Sequence, residues 1–104
     1  MKQNRVLSLV GLATKAGKTV SGEFSTEKAV KTGHAYLVIV SAEASGNTQK
    51  SFCNMTDFYH VPCYCYGSKE ALGRCIGKEF RASLAVTDEN LAKAVEKKLK
   101  EHTV

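Results

Sequence analysis

Three observations predict an α/β protein with helices on both faces of a sheet. Apolar residues recur at helical spacing in several stretches, short β-prone runs alternate with them, and Ala35–Ser41 is almost continuously apolar. Arg5–Ala16 spaces Val6, Leu9, Val10 and Ala13 as one helix face, with Gly17 placed to close it. Thr19–Ser21 is a brief β-prone piece before Gly22. Phe24–Thr32 predicts a second helix, with Ala29 and Val30 inward and Gly33 as its stop. The Ala35–Ser41 run has the character of a strand covered on both faces. Glu43–Tyr59 predicts a third helix through Phe52, Met55 and Tyr59. Val61–Tyr66 predicts a second buried-type strand, with Pro62 at its start where a missing N–H is tolerated. Ser68 is placed to cap a short helix carrying Leu72, Cys75 and Ile76 and closed by Gly77. Ala82–Thr87 is a further strand. Asp88 then caps a last helix whose Leu91, Ala94, Val95 and Leu99 face inward.

A length of 104 residues predicts one domain, 1–104, with no room for a second core. At 43% hydrophobic and 24% charged the composition is that of a globular chain, and no apolar run reaches the ~20 residues of a membrane helix. Met1–Arg5 followed by Val6–Ala13 has a signal-like outline, but Lys15 and Lys18 stand where a small-residue cleavage site belongs, so a cytoplasmic protein is expected. Cys53, Cys63, Cys65 and Cys75 form no Cys-x-x-Cys pair and read as small buried hydrophobes. A metal site from Cys53, His60, Cys63 and Cys65 matches no zinc module, so neither metal nor cofactor is expected. Charge is uneven. Of the net +5, residues 1–42 hold +4, from six basic groups against two acids. A basic half of this kind points to an anionic partner, above all nucleic acid.

Gly11–Thr19 imitates a phosphate-binding loop, but five residues separate Gly11 from Gly17 where the motif requires four, and the segment closes a helix instead of opening one. His34, His60 and His102 stand beside no nucleophile and no paired carboxylates appear, so no enzyme is read here. Lys15–Lys28 is more informative. A glycine turn enters a helix N-terminus whose free amides favour negative charge or base acceptors. Phe24 and Lys28 share a face four residues apart, and Lys15 and Lys18 flank the segment. An exposed aromatic, a cation and free amides suit a stacked base, a phosphate and a base edge. The competing reading is a plain surface helix with Phe24 packed into the core. A second segment, Ser68–Ala82, places Lys69, Arg74, Lys78 and Arg81 around Phe80. It reads either as a basic turn before a buried strand, leaving an aromatic and two cations at a sheet edge, or as an ordinary connection.

Taken in order, Leu12–Lys18, Val20–Gly22, Lys28–Val30, Gly33, Ala35–Ser41, Val61-Pro62, Ser68–Gly73 and Ile76–Lys78 resemble the kink-turn RNA-binding ribosomal-protein superfamily, in its small bacterial YlxQ-like branch. The resemblance spans nearly the whole chain. It implies a three-layer α-β-α sandwich around a small mixed four-stranded sheet, and RNA binding without chemistry. In the superfamily the turn into the second helix meets sheared G·A pairs of a bent RNA, a role that falls here to Gly22, Phe24, Ser25 and Lys28. A later loop packs on an extruded nucleotide, a role that falls to Lys78, Glu79, Phe80 and Arg81, and Lys18 would approach phosphate. Many relatives carry a polar pair at the positions of Phe24 and Ser25. Phenylalanine cannot read a guanine edge, so backbone amides and Lys28 are expected to carry the readout. The partner implied is structured RNA with a kink-turn or related bend, ribosomal in origin, bound by a monomer with no membrane association. Two alternatives stay open: a ribosome-associated protein-interaction module anchored by Phe24 and Phe80, and the RNA-recognition domain of a separate RNA-modifying enzyme.

Overall fold

The computed structural model describes residues 5–102, so Met1–Asn4, with Lys2 of the basic start, and residues 103–104 lie outside it. The chain runs α1 (Arg5–Lys15), β1 (Thr19–Ser21), α2 (Glu23–Lys31), β2 (Leu37–Val40), α3 (Gly46–Phe58), β3 (Cys63–Cys65), α4 (Lys69–Cys75), β4 (Ser83–Val86) and α5 (Glu89–His102). The strands form one mixed sheet in the order β1-β4-β2-β3, with β1 and β2 antiparallel to β4 and β3 parallel to β2.

Alternation along the central strands sorts the helices into two layers. Leu37, Ile39, Leu84 and Val86 face α1, α4 and α5, packing on Val6, Val10, Leu72, Val95 and Leu99. Val38, Val40 and Ala85 face α2 and α3, packing on Ala29, Val30 and Phe52. Every residue of β2 and β4 is buried, as a strand sandwiched between helices requires.

Helices α1, α2 and α4 end as their glycines predict. Gly17, Gly33 and Gly77 take left-handed backbone, and the following N–H reaches back five residues, as Lys18 does to the Ala13 carbonyl at 2.8 Å. His60 performs the same service for α3 at φ +60°, with Val61 N–H on the Thr56 carbonyl at 2.8 Å. This histidine is a helix stop.

Several sequence expectations change. The cysteines are not buried hydrophobes: Cys53 and Cys65 are exposed, and Cys63 and Cys75 are half-buried, because Cys53 lies on the outer side of α3 and Cys63 and Cys65 on an edge strand. α3 begins at Gly46, capped by the Ser45 hydroxyl on Thr48 N–H at 3.1 Å, because Glu43 instead accepts Lys69 N–H at 2.9 Å. Tyr59 lies outside α3 as its exposed C-cap. The Val61–Tyr66 run shortens to a half-buried edge strand, since β2 takes only one of its sides and the other has no neighbour in the sheet. In α5 the fully turned-in alanine is Ala92, while Ala94 is half-buried.

Candidate nucleic-acid interface

The β1–β4 pairing joins the two segments that the sequence singled out. Ser21, the last residue of β1, is paired with Leu84 near the start of β4. The chain leaving β1 therefore meets the chain entering β4. Gly22 N–H donates to the Ser83 carbonyl at 3.0 Å. The Arg81 Nε donates to Ser21 Oγ at 3.1 Å, across 60 residues of sequence.

Helix α2 begins differently from the three helices after it. α3, α4 and α5 each have a side chain on a first-turn amide: Ser45 on Thr48, Ser68 on Ala71 at 3.0 Å, and Asp88 on Leu91 at 2.9 Å. The cap of α2 is Gly22, at φ +89° and ψ 157°, a region open essentially to glycine, and it offers no side chain. Thr26 N–H is the first to bond within the helix, to the Gly22 carbonyl at 3.0 Å. The N–H groups of Glu23, Phe24 and Ser25 are thus presented outward at the positive end of the helix dipole.

The two sides of α2 carry opposite charge. Glu23 and Glu27 line a depression shared with α3 residues Asn47, Thr48 and Ser51. Glu27 accepts a hydrogen bond from Lys31 Nζ at 2.7 Å, and that bond raises the Lys31 pKa. On the β1 side, Phe24, Ser25 and Lys28 line a second groove with Val20, Ala29, Thr32, His34 and Thr87. Lys28 pairs with no carboxylate among the described residues. Phe24 is 78% exposed, which rules out the packed-in reading of this side chain.

The second segment is held rigidly. A Cβ on Gly73 would lie 2.4 Å from the Glu79 carbonyl oxygen and 2.7 Å from Phe80 N, so only glycine lets the 79–80 backbone rest on α4. Arg81 N–H donates to the Lys69 carbonyl at 3.0 Å, and Arg81 Nη1 to the Phe80 carbonyl at 2.8 Å. Lys78 and Glu79 are exposed, Phe80 is 60% exposed, and Arg81 is half-buried as a strut between the two segments. A third loop stands at the same end: Ser41 Oγ donates to the Gly67 carbonyl and accepts Glu43 N–H, both at 3.0 Å.

Lys15 and Lys18 do not sit at the Gly22 turn. Thr19 pairs with Val86, and the Lys18 carbonyl accepts Thr87 N–H at 2.8 Å, so both lysines lie at the opposite end of β1. At ~3.3 Å per extended residue, Lys18 and Gly22 backbones are about 13 Å apart. The structure thus brings together Gly22, Phe24, Ser25, Lys28, Lys78, Glu79, Phe80 and Arg81 and sets the other two apart. Sequence reasoning passed over Ser21 and Gly73, although a glycine inside a helical pattern is itself a sign of close backbone approach.

The remaining chemistry-bearing groups build no site. Among the described residues no three His, Cys, Asp or Glu side chains stand close enough to hold a metal ion. Burial pushes the Cys63 thiol up to about 12 and Cys75 up to about 11, and it raises Cys65 as well, which keeps these sulfurs protonated and poorly nucleophilic. No helix among the described residues is long and apolar enough to cross a membrane.

Comparison with known proteins agrees with this architecture. The Ribosomal protein L7Ae/L30e/S12e/Gadd45 family profile matches residues 4–96. The chain belongs to this family. It is 43% identical over 84 residues to the RNA-binding protein YlxQ of Bacillus subtilis (strain 168), covering 81% of this chain and 84% of that protein. It is 32% identical over 84 residues to the large ribosomal subunit protein eL30 of Sulfolobus acidocaldarius, covering 79% and 81%. These relatives carry the names of RNA-binding and ribosomal proteins, not of enzymes. Among solved structures, a protein of unknown function from Bacillus halodurans C superposes with a TM-score of 0.91 at 33% identity, covering 94% of this chain and 99% of that one. The 15.5kD RNA binding protein of Giardia lamblia superposes with a TM-score of 0.80 at 22% identity, over 97% of this chain and 90% of that one, a likeness of fold.

Proposed function

We propose that this L7Ae-family protein is a non-catalytic RNA-binding protein that recognises a kink-turn or similarly bent internal loop in structured, ribosomal RNA. The observation that carries the reading is the uncapped N-terminus of α2, whose three outward amides stand beside the Arg81-braced loop between α4 and β4. In this reading the amides of Glu23–Ser25 donate to base-edge and phosphate oxygens of the G·A pairs. Lys28 neutralises the phosphate that the bend brings close, and Ser25 adds a short hydroxyl contact. Lys78 and the exposed Phe80 ring receive the extruded nucleotide, with Glu79 acting through its backbone and Arg81 setting the distance between the two loops. Lys15 and Lys18, at the far end of β1, meet only RNA that continues past the bend.

The mechanism is selection. A protein that binds the kinked conformer better than the open one shifts the RNA population by that difference in affinity and no more. Few cations contribute, so affinity falls with salt along a shallow slope.

The test is binding of a kink-turn RNA and of the same RNA with its G·A pairs replaced by Watson–Crick pairs, read by fluorescence anisotropy. The native protein is expected to prefer the kink-turn at least tenfold. Lys28→Ala is expected to lose about tenfold, a charge-assisted contact, and to lower the salt slope by about one. Equal affinity for the two RNAs, or Lys28→Ala binding unchanged, contradicts the reading.

A further inference from the structure

Of the groove on the β1 side of α2, the contacts proposed above use only Ser25 and Lys28, leaving Phe24, His34 and the apolar lining without a role. The groove encloses about 390 Å³, within the ~300–1,000 Å³ range of small-ligand sites. Its floor is Val20 and Ala29, its wall the Phe24 ring, and its rim Lys28, Thr32, His34 and Thr87, with no carboxylate among its lining residues. The α3 side of the same helix is lined by Glu23 and Glu27 and would repel a phosphate.

Hydrogen bonding fixes what the far rim offers. Thr32 Oγ1 donates its one hydrogen to the Lys28 carbonyl at 2.7 Å, so its 2.8 Å contact with His34 Nδ1 is donated by the imidazole. The neutral ring is therefore the Nδ1–H tautomer, and Nε2 is its acceptor. An aromatic face, an ammonium with no carboxylate partner among the described residues and a fixed acceptor are the complement of one unstacked nucleotide: base on Phe24, phosphate on Lys28, exocyclic amine on His34.

We propose that this groove is a second nucleotide site, which takes an unpaired residue of the RNA strand flanking the bend. The proposal rests on the RNA-binding reading and deepens it. The site is separate from the Lys78–Arg81 loop, because it lies along α2 toward the His34 end of the sheet. It also gives the exposed Phe24 a use: an aromatic that cannot read a guanine edge can stack on any base.

The experiment compares a blunt kink-turn RNA with the same RNA carrying a three-nucleotide single-stranded extension, 5′ in one arm and 3′ in the other. One extension is expected to tighten binding at least fivefold. His34→Ala should bind the blunt RNA as the native protein does and lose the gain, and Phe24→Ala should lose it as well. A 4-thiouridine in the extension should cross-link to the peptide spanning residues 20–34. If neither extension tightens binding, or if the gain survives both substitutions, the groove is not a nucleotide site while the blunt RNA still reports on the bend. If the blunt RNA itself is not preferred over its Watson–Crick counterpart, the underlying reading fails and takes the groove with it. Loss of binding to a ribosomal protein in Phe24→Ala, with the extension gain intact, would assign the groove to a protein partner instead.

Discussion

Both edges of the sheet are three-residue strands, and each leads into a helix, yet they present opposite chemistry. β1 passes into α2 through Gly22 alone, which leaves three helix amides facing outward. β3 reaches α4 through Tyr66–Ser68, and the Ser68 hydroxyl closes the first turn. The side chains follow suit. The β1 edge is flanked by Lys28 and Arg81, whereas the β3 edge carries thiols that burial keeps protonated and a Tyr64 hydroxyl that donates to Glu96 Oε2 at 2.9 Å. One residue at the strand-to-helix junction therefore decides whether an edge offers donors to a ligand or satisfies them internally. What distinguishes the candidate site is what its cap residue withholds.

Gly22→Ser should break this contrast with the largest effect. It adds the missing cap and forces a side chain into glycine's backbone region, a strain of about 1–3 kcal/mol. RNA affinity should fall at least thirtyfold, measured by anisotropy, with a lowered Tm by calorimetry. Gly73→Ala should come next. Its methyl group cannot coexist with the Glu79 carbonyl oxygen at 2.4 Å, so the 78–81 loop must move and affinity should drop about tenfold, with amide shift changes centred on residues 78–81. Ser21→Ala removes only the acceptor of the Arg81 strut at 3.1 Å and should weaken RNA binding by about threefold, a net hydrogen bond of ~0.5–1.5 kcal/mol at most. Ser68→Gly opens α4 as α2 is open. It should cost a few tenths of a kcal/mol in stability and leave RNA affinity unchanged, because Glu43 already accepts Lys69 N–H and Glu70 stands in the first turn, so those amides face carboxylates that repel an anion. At the thiol edge, the raised Cys63 pKa means that its stabilising effect is complete below its ordinary value of 9.0 and is lost as pH rises toward 12. Unfolding free energy should therefore decline above pH 9 through this group, and a Cys63→Ala protein should show a shallower decline.

Much of the architecture was legible because it is local. The buried β2 and β4 strands, the serine and aspartate caps and the glycine stops all follow from residues adjacent in sequence. Where the reading failed, the deciding partner was distant. Glu43 looked like the start of α3, but its carboxylate is drawn to Lys69 N–H, 26 residues away. The apolar Val61–Tyr66 run looked doubly covered, but an edge position leaves it half-buried. His60 carries no marker of a left-handed helix stop, a place glycine usually fills. The site was legible in its pieces, since Gly22, Lys28 and the basic turn before β4 each stand out. Its joining was not, because only the β1–β4 register brings Arg81 to Ser21 and carries Lys18 away. Phe24 had two readings from its spacing alone, and its exposure separates them.

The central claim is that the α2 entrance and the residue 78–81 loop act as one RNA-facing ledge while the β3 edge takes no part. Two-dimensional amide NMR of the labelled protein titrated with a kink-turn RNA tests it directly. The account predicts the strongest shifts at Gly22–Ser25, Lys28 and Lys78–Arg81 and none at Cys63–Cys65. Shifts concentrated on β3, or confined to one half of the ledge with the other unmoved, would contradict it.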